Sequence, residues 1–421
     1  MAHQLTQLPS GVTVVTEAMT SVRSVTLGIW VRVGSRDEAP EQAGCAHFLE
    51  HLLFKGTTRR TARDIAEELD AVGGELNAFT SKEHTCFHAR VLDSDVPLAM
   101  DVLADMIVDA RNAEEDVEAE RDVVRSELDI YYDTPDDLVH TDFATAVFGP
   151  HPLASETLGS IASVSSLSRE TIDGFYREHY RPENIVVSAA GAIDHDALVR
   201  LAETLLGDLG RPGGGPNPRT PPTAYGRGEI VVRPRPTEQA HVILGAPGVS
   251  RTDPDRWALR VLDGALGGGM SSRLFQTIRE ERSLAYSTYS YAASYADTGL
   301  FGAYVGTSPA KLDDACAVLR DELDRVGDDV TRAEVERSKG ALAGQTVLAL
   351  EDTASRMMRI GRQVAAAEPV VTVEDALRYV DAVDVDAARA VAVRLLQAPR
   401  DLAVVGPFDG DVQDRFRAVV T

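Results

Sequence analysis

The sequence predicts an α+β protein of two similar domains, each a mainly antiparallel sheet with helices packed on one side. Three observations carry this expectation. The stretches "VVTEAMTSVRSVTLGIWVRVGSR" (14–36) and "IVVRPRPTEQAHVILGAPGVSR" (230–251) both alternate apolar and polar residues over two short runs and end in Ser-Arg, the pattern of paired strands entering a loop. Each is followed by a helical stretch, a glycine break, another helical stretch and a second strand pair, "GELNAFTSKEHTCFHARV" and "AYSTYSYAASYADTGLFGAYV". One fold is used twice. Between the copies, "GDLGRPGGGPNPRTPPTAYGRG" (207–228) is too rich in glycine and proline to hold a ladder or a helix.

In chain order, the first strand pair leads to a helix around "HFLEHLLFKGT" (47–57), where Phe48, Leu49, Leu52 and Leu53 supply an apolar side. After the second strand pair, "EEDVEAERDVVRSELDIYYD" (114–133) carries Val117, Val124, Leu128 and Tyr131 at helical spacing. Late strands, "NIVVSAAG" (184–191) and "DLAVVGP" (401–407), stand in matching places of the two halves. These features divide the chain into a first domain at 1–210, a linker at 211–228 and a second domain at 229–421.

The 421 residues and 44% apolar content suit a globular chain with room for two or three domains. No run is long and apolar enough for a membrane span, and no charged leader precedes the first strands, so the expected location is the cytoplasm, with no membrane partner. Cys45, Cys86 and Cys316 lack the spacing of a zinc ribbon or a disulfide scaffold. A net charge of −24 argues against nucleic acid as a partner and is compatible with basic ones.

One motif asks for chemistry. His47, Glu50 and His51 stand at i, i+3 and i+4 and converge on one side of their helix. Two imidazoles and a carboxylate there suit a divalent metal: zinc takes neutral imidazole nitrogen and carboxylate oxygen, and its catalytic sites have three protein ligands and an open position. Glu50 would then act as base on the attacking water. With ten histidines in the chain, His-x-x-Glu-His arises by chance roughly 0.02 times. A third ligand is needed. Glu120 and Glu127, seven apart on the 114–133 helix, share a face, and either can reach the metal while the other orients a ligating histidine.

"GCAHFLEHLLFKGT", "GGELNAFTSKEHT" and the Glu127 of "ERDVVRSEL", 76 residues after His51, together resemble the pitrilysin family of zinc metallopeptidases. The chain is most similar to the group that includes the catalytic subunit of the mitochondrial processing peptidase and its short bacterial relatives. The likeness extends to "ALGGGMSSRLFQTIREERSLAYSTYSY" in the second half. It implies one Zn2+ per chain held by His47, His51 and Glu127, with Glu50 as general base and Glu120 orienting a ligand. It also implies that Arg279 and Tyr286 reach the scissile peptide from an inactive second domain, and that the domains close as a clam shell around an extended peptide. Asn77 and Ala78 are the implied substrate contacts on an edge strand that pairs with the peptide.

Asp129, Asp133, Asp136 and Asp137 follow Glu127, and in processing peptidases acidic residues here read arginines, so the expected substrates are basic peptides or unfolded segments. No histidine follows His241, so the second half cannot repeat the site, and a shift of about 215 residues sets Leu262, Ala265 and Leu266 opposite His47, Glu50 and His51. The resulting expectation is a bacterial cytoplasmic zinc endopeptidase, as a homodimer. The alternatives are a peptide-binding or scaffold member without activity, and a subunit active only with a partner chain.

Overall fold

A computed structural model describes residues 3–207, 209, 219–222, 227–397, 399–410 and 412–421. Of the expected linker, 211–218 and 223–226 lie outside the described residues.

The first half runs β1 (Gln4–Gln7), β2 (Thr13–Ala18), β3 (Ser24–Val31), α1 (Cys45–Leu53), α2 (Ala62–Asp70), β4 (Glu75–Thr80), β5 (Thr85–Leu92), α3 (Val96–Asp109), α4 (Glu114–Tyr132), α5 (Pro135–Phe148), α6 (Ile161–Ser166), α7 (Arg169–His179), β6 (Ile185–Gly191) and α8 (His195–Leu206). The second runs β7 (Ile230–Pro234), β8 (Ala240–Pro247), α9 (Arg256–Leu266), β9 (Ala285–Ser294), β10 (Gly299–Thr307), α10 (Leu312–Asp329), α11 (Arg332–Ala349), α12 (Thr353–Ala365), α13 (Val373–Asp381), α14 (Val385–Leu396), β11 (Asp401–Gly406) and α15 (Gln413–Val420). Among the described residues the strands form two sheets, β1-β2-β6-β3-β5-β4 and β7-β11-β8-β10-β9. Without β1 the two orders are the same. The sheets are mixed: β2 and β6 run parallel, as do β7 and β11, and the other pairings are antiparallel. The expected α+β class and twofold repeat are therefore present.

The chain forms two compact units. One comprises Met1–Leu128, Glu156–Arg219 and Val347–Val373; the other comprises Asp129–Ser155, Thr220–Thr346 and Glu374–Thr421. Each sheet thus takes one helix from the opposite half of the sequence. In the first unit α12 brings Met357, Ile360, Val364 and Ala365 onto Val15, Trp30, Cys86, Val186 and Ala190. Gly361 makes this approach possible, because a Cβ there would lie 2.3 Å from the indole nitrogen of Trp30. Glu17, buried in β2, pairs with both Arg356 and Arg359 of α12. In the second unit α5 lays Leu138, Val139, Phe143 and Val147 on Ile243, Ala403 and Val405.

The helical layer expected on one side is there as well: α3 packs on β3 and β5, and α9, α10 and α14 cover the second sheet. The opposite face is covered too, and the strands explain why. β6, β8, β10 and β11 are buried along their whole length, as strands with apolar cover on both sides must be.

Candidate metal centre

Helix α1 starts at Gly44, which admits no side chain: its φ is +91°, and a Cβ there would lie 2.7 Å from the carbonyl oxygen of Leu158. The carboxylate of Glu38 then accepts from the Gly44 and Ala46 amides at 2.9 and 2.7 Å, satisfying donors that a helix start leaves free. Burial pushes the Glu38 carboxyl up to about 8. With Phe48, Leu49, Leu52 and Leu53 buried beneath, α1 presents His47, Glu50 and His51 on its other side. Helix α4 is fixed beside it by Arg121, which donates to Leu167 O at 2.8 Å and to Val164 O, and lies 5.7 Å over the ring of Phe48.

Among the described residues, His47, His51 and Glu127 form the single group able to hold a metal ion, with ligand atoms all within 4.8 Å of one another. Glu127 Oε2 lies 3.6 Å from His47 Nε2 and 3.5 Å from His51 Nε2. Two ligands about 2.1 Å from a tetrahedral zinc stand about 3.4 Å apart, so both separations from Glu127 match a shared zinc ion.

The electrostatics agree. Burial, with the neighbouring His51, pushes His47 down to about 4 and leaves its ring neutral at pH 7, with a lone pair to give. Burial also works against charge on His51, but Glu120, Glu127 and Glu50 outweigh it and raise its pKa, the mark of a cation-attracting potential. His51 Nδ1 lies 2.8 Å from Glu120 Oε1. An ionised carboxylate can only accept, so Nδ1–H donates and Nε2 keeps its lone pair toward Glu127. Burial opposes the Glu120 charge, yet bonds from His51 and from Lys55, which pairs with its other oxygen, hold its pKa below the usual range.

Burial raises the pKa of Glu50, countered in part by Thr80, whose hydroxyl donates to Oε2 at 2.5 Å. A cavity of about 240 Å³ lined by Glu50, His51, Phe54, Lys55 and Glu120 adjoins the group. This arrangement can bind a divalent cation and place a proton acceptor beside it.

Asn77 and Ala78 lie on β4, the edge strand of the first sheet, paired with His88 and Phe87 of β5. The Ala78 amide donates to the side-chain oxygen of Asn77 at 2.8 Å. Arg279 and Tyr286 belong to the second unit and hold each other: the guanidinium lies 4.3 Å from the ring centroid and donates to Tyr286 O at 3.2 Å. Tyr286 is 77% exposed. Asp129, Asp133, Asp136 and Asp137 are all exposed in the second unit. Sequence reading missed Glu38, Lys55 and Thr80; of these only Lys55, one turn after His51, left a signal.

The counterpart of the site in the second half is not where a uniform shift of 215 puts it. Cys45, Ala46, Phe48, Leu49, Leu52 and Leu53 are the buried residues of α1, and Ala258, Leu259, Val261, Leu262, Ala265 and Leu266 those of α9, each 213 positions later. Arg260, Asp263 and Gly264, rather than Leu262, Ala265 and Leu266, therefore stand opposite His47, Glu50 and His51. The cause is the strand-to-helix connection, which is shorter in the second half: 248–255 between β8 and α9 against 32–44 between β3 and α1. Val117 and Glu120 match Val335 and Ser338 at 218, which pairs Glu127 with Gln345.

Residues 13–160 match the family profile described as Insulinase (Peptidase family M16), and residues 166–342 the one described as Peptidase M16 inactive domain. A protein of Streptomyces coelicolor named an uncharacterized zinc protease is 48% identical over 99% of this chain and 92% of its own. The chain belongs to peptidase family M16. Another M16 relative, from Bacillus subtilis and also named an uncharacterized zinc protease, is 37% identical over 94% of this chain and 97% of its own. The M16 fold recurs in the solved structure of a protease from Helicobacter pylori, with a TM-score of 0.88 and 21% identity, covering 96% of this chain and 99% of that one. It recurs again in a Pseudomonas fluorescens structure described as a peptidase M16 inactive domain, with a TM-score of 0.90 and 19% identity over 98% and 99% of the two chains. No helix among the described residues is long and apolar enough to cross a membrane.

Proposed function

We propose that this M16 chain is a zinc-dependent endopeptidase that hydrolyses peptides or unfolded segments. The observation that carries the reading is the separation of His47 Nε2, His51 Nε2 and Glu127 Oε2, which suits zinc, with the carboxylate of Glu50 one turn of α1 away from His47. His47, His51 and Glu127 would hold the ion, one per chain. When bound, zinc supplies Lewis acidity that makes water a nucleophile at neutral pH. Glu50 takes the proton of the attacking water on the carboxylate oxygen that Thr80 leaves free, and passes it to the leaving amine. Glu120 keeps His51 in the tautomer and orientation a ligand needs.

The substrate adds a strand to β4 at Asn77 and Ala78. For that, the Asn77 side chain releases the Ala78 amide it now covers. Family likeness assigns Arg279 and Tyr286 to the oxyanion of the scissile peptide, and their mutual contact supports a joint role. The acidic run Asp129 to Asp137 supports a preference for basic segments. The presence of both residue sets in one chain supports an enzyme that needs no different partner, and the Streptomyces and Bacillus relatives support a bacterial setting; a homodimer in the cytoplasm completes the reading.

Mass-spectrometric cleavage of an unstructured, arginine-containing peptide tests the reading. Wild type is expected to cut. Glu50→Gln should retain zinc while kcat falls about 10²- to 10⁴-fold. If neither protein cuts with zinc bound, a peptide-binding or partner-dependent role replaces this one.

A further inference from the structure

We propose that Thr80 is a positioning residue for Glu50: its hydroxyl selects which carboxylate oxygen faces the reacting water. This deepens the endopeptidase reading and rests on it. The Thr80 Oγ1 to Glu50 Oε2 distance is 2.5 Å, and among the described residues no other side chain donates to Glu50. Because an ionised carboxylate is acceptor-only, the proton in this bond belongs to threonine. Such charge-assisted bonds are short and strong.

Glutamate needs a constraint of this kind. Its terminal torsion is broad and roughly twofold, so an unbonded Glu50 would present either oxygen, over a wide range of angles, to the space beside His47 and His51. Threonine supplies the constraint from a rigid place. Thr80 closes β4, paired in the ladder with Thr85, and the turn beyond it is tied by Ser81 N donating to His84 O at 2.9 Å. A β-branched side chain on a strand has few χ1 choices, so the hydroxyl direction follows from the backbone. Oε2 is thereby anchored, and Oε1 is the proton-accepting atom. The same strand carries Asn77 and Ala78, so the element proposed to align the peptide also aligns the base.

The second unit supplies an internal control. Ser290 of β9 donates to Asp263 Oδ1, also at 2.5 Å, and Asp263 is the counterpart of Glu50. There the bond serves no ligand set, because Arg260 and Gly264 replace the histidines.

The test compares wild type, Thr80→Val, Thr80→Ser and Ser290→Ala for kcat, KM and zinc affinity. Valine keeps the shape and strand preference of threonine but has no donor. Loss of a bond to a charged group should lower kcat of Thr80→Val about 10- to 100-fold, with KM within about twofold and zinc affinity unchanged. Thr80→Ser should recover kcat to within about threefold, and Ser290→Ala should keep the wild-type kcat. Unchanged kcat in Thr80→Val overturns the proposal, as does failure of serine to rescue or zinc loss that parallels the rate loss. Should wild type itself not cut the peptide, the endopeptidase reading fails, and crystal structures of wild type and Thr80→Val decide the role of Thr80 on their own. Glu50 in one rotamer in wild type and spread over several in the variant supports it; an unmoved Glu50 overturns it.

Discussion

The two units share a strand order and differ at five matched places. In the first, an imidazole and a carboxylate, His51 and Glu120, stand between α1 and α4 and are joined at 2.8 Å. In the second, the matched residues are Gly264 and Ser338, and α11 comes so close to α9 that a Cβ on Gly264 would lie 2.2 Å from Ser338 Oγ. That hydroxyl instead donates to Val261 O at 2.7 Å. Arg260 and Gln345 take the places of His47 and Glu127, and of the five only Asp263 keeps a carboxylate, with its hydroxyl donor. The lesson concerns spacing. Long ligand-type side chains between two helices hold them apart by their own length, and a helix pair that gives them up can close the gap with small residues.

The sharpest way to break this contrast is to give the first unit the residue of the second. In Glu127→Gln the carboxylate becomes a neutral amide, a poor zinc ligand. Zinc should be lost at micromolar free metal and peptide cleavage abolished, while the circular dichroism spectrum stays that of wild type. Retained zinc and activity would remove Glu127 from the ligand set. In the other direction, Gly264→Val crowds the α9–α11 contact. Overpacking there should cost about 1–3 kcal/mol in chemical denaturation, with zinc content and affinity unchanged. A neutral effect would mean that the second pair of helices is not closely packed at all.

The smallest expected effect concerns the strands. β11 of the second sheet buries a carboxylic acid, Asp401, where its counterpart strand β6 (Ile185–Gly191) carries none. Asp401 accepts from the Glu229 amide at 3.1 Å, and burial pushes its carboxyl up to about 7. A carboxyl whose folded pKa is raised contributes stability that is full below its unfolded value of about 4 and lost as pH rises through about 7. Asp401→Asn removes that slope. Its stability relative to wild type should therefore increase between pH 4 and pH 8 in urea titrations, and a difference independent of pH would show that Asp401 stays ionised in the folded state.

How far the sequence was legible follows from these particulars. His47, Glu50 and His51 announced themselves because helical spacing is a local property, and Glu120 and Glu127 did so for the same reason. Helix α12 as cover for Trp30 was not legible: which sheet face a helix chooses depends on residues hundreds of positions away, and Glu17 meets Arg356 and Arg359 only in the fold. The counterpart residues were misplaced because a single shift cannot fit a chain whose connections differ in length. Thr80 was invisible for a related reason, since its bond to Glu50 spans 30 positions.

The exchange of α5 and α12 also has a consequence in time. During synthesis the last strand of the first sheet, β6, is complete at Gly191, but α12 does not begin until Thr353. At 5–20 residues per second, the intervening 161 residues take the ribosome roughly 8–32 s. Throughout that interval the face bearing Val15, Trp30, Cys86, Val186 and Ala190 has no helix to cover it, so the nascent chain offers chaperones a defined apolar surface until its own second half arrives.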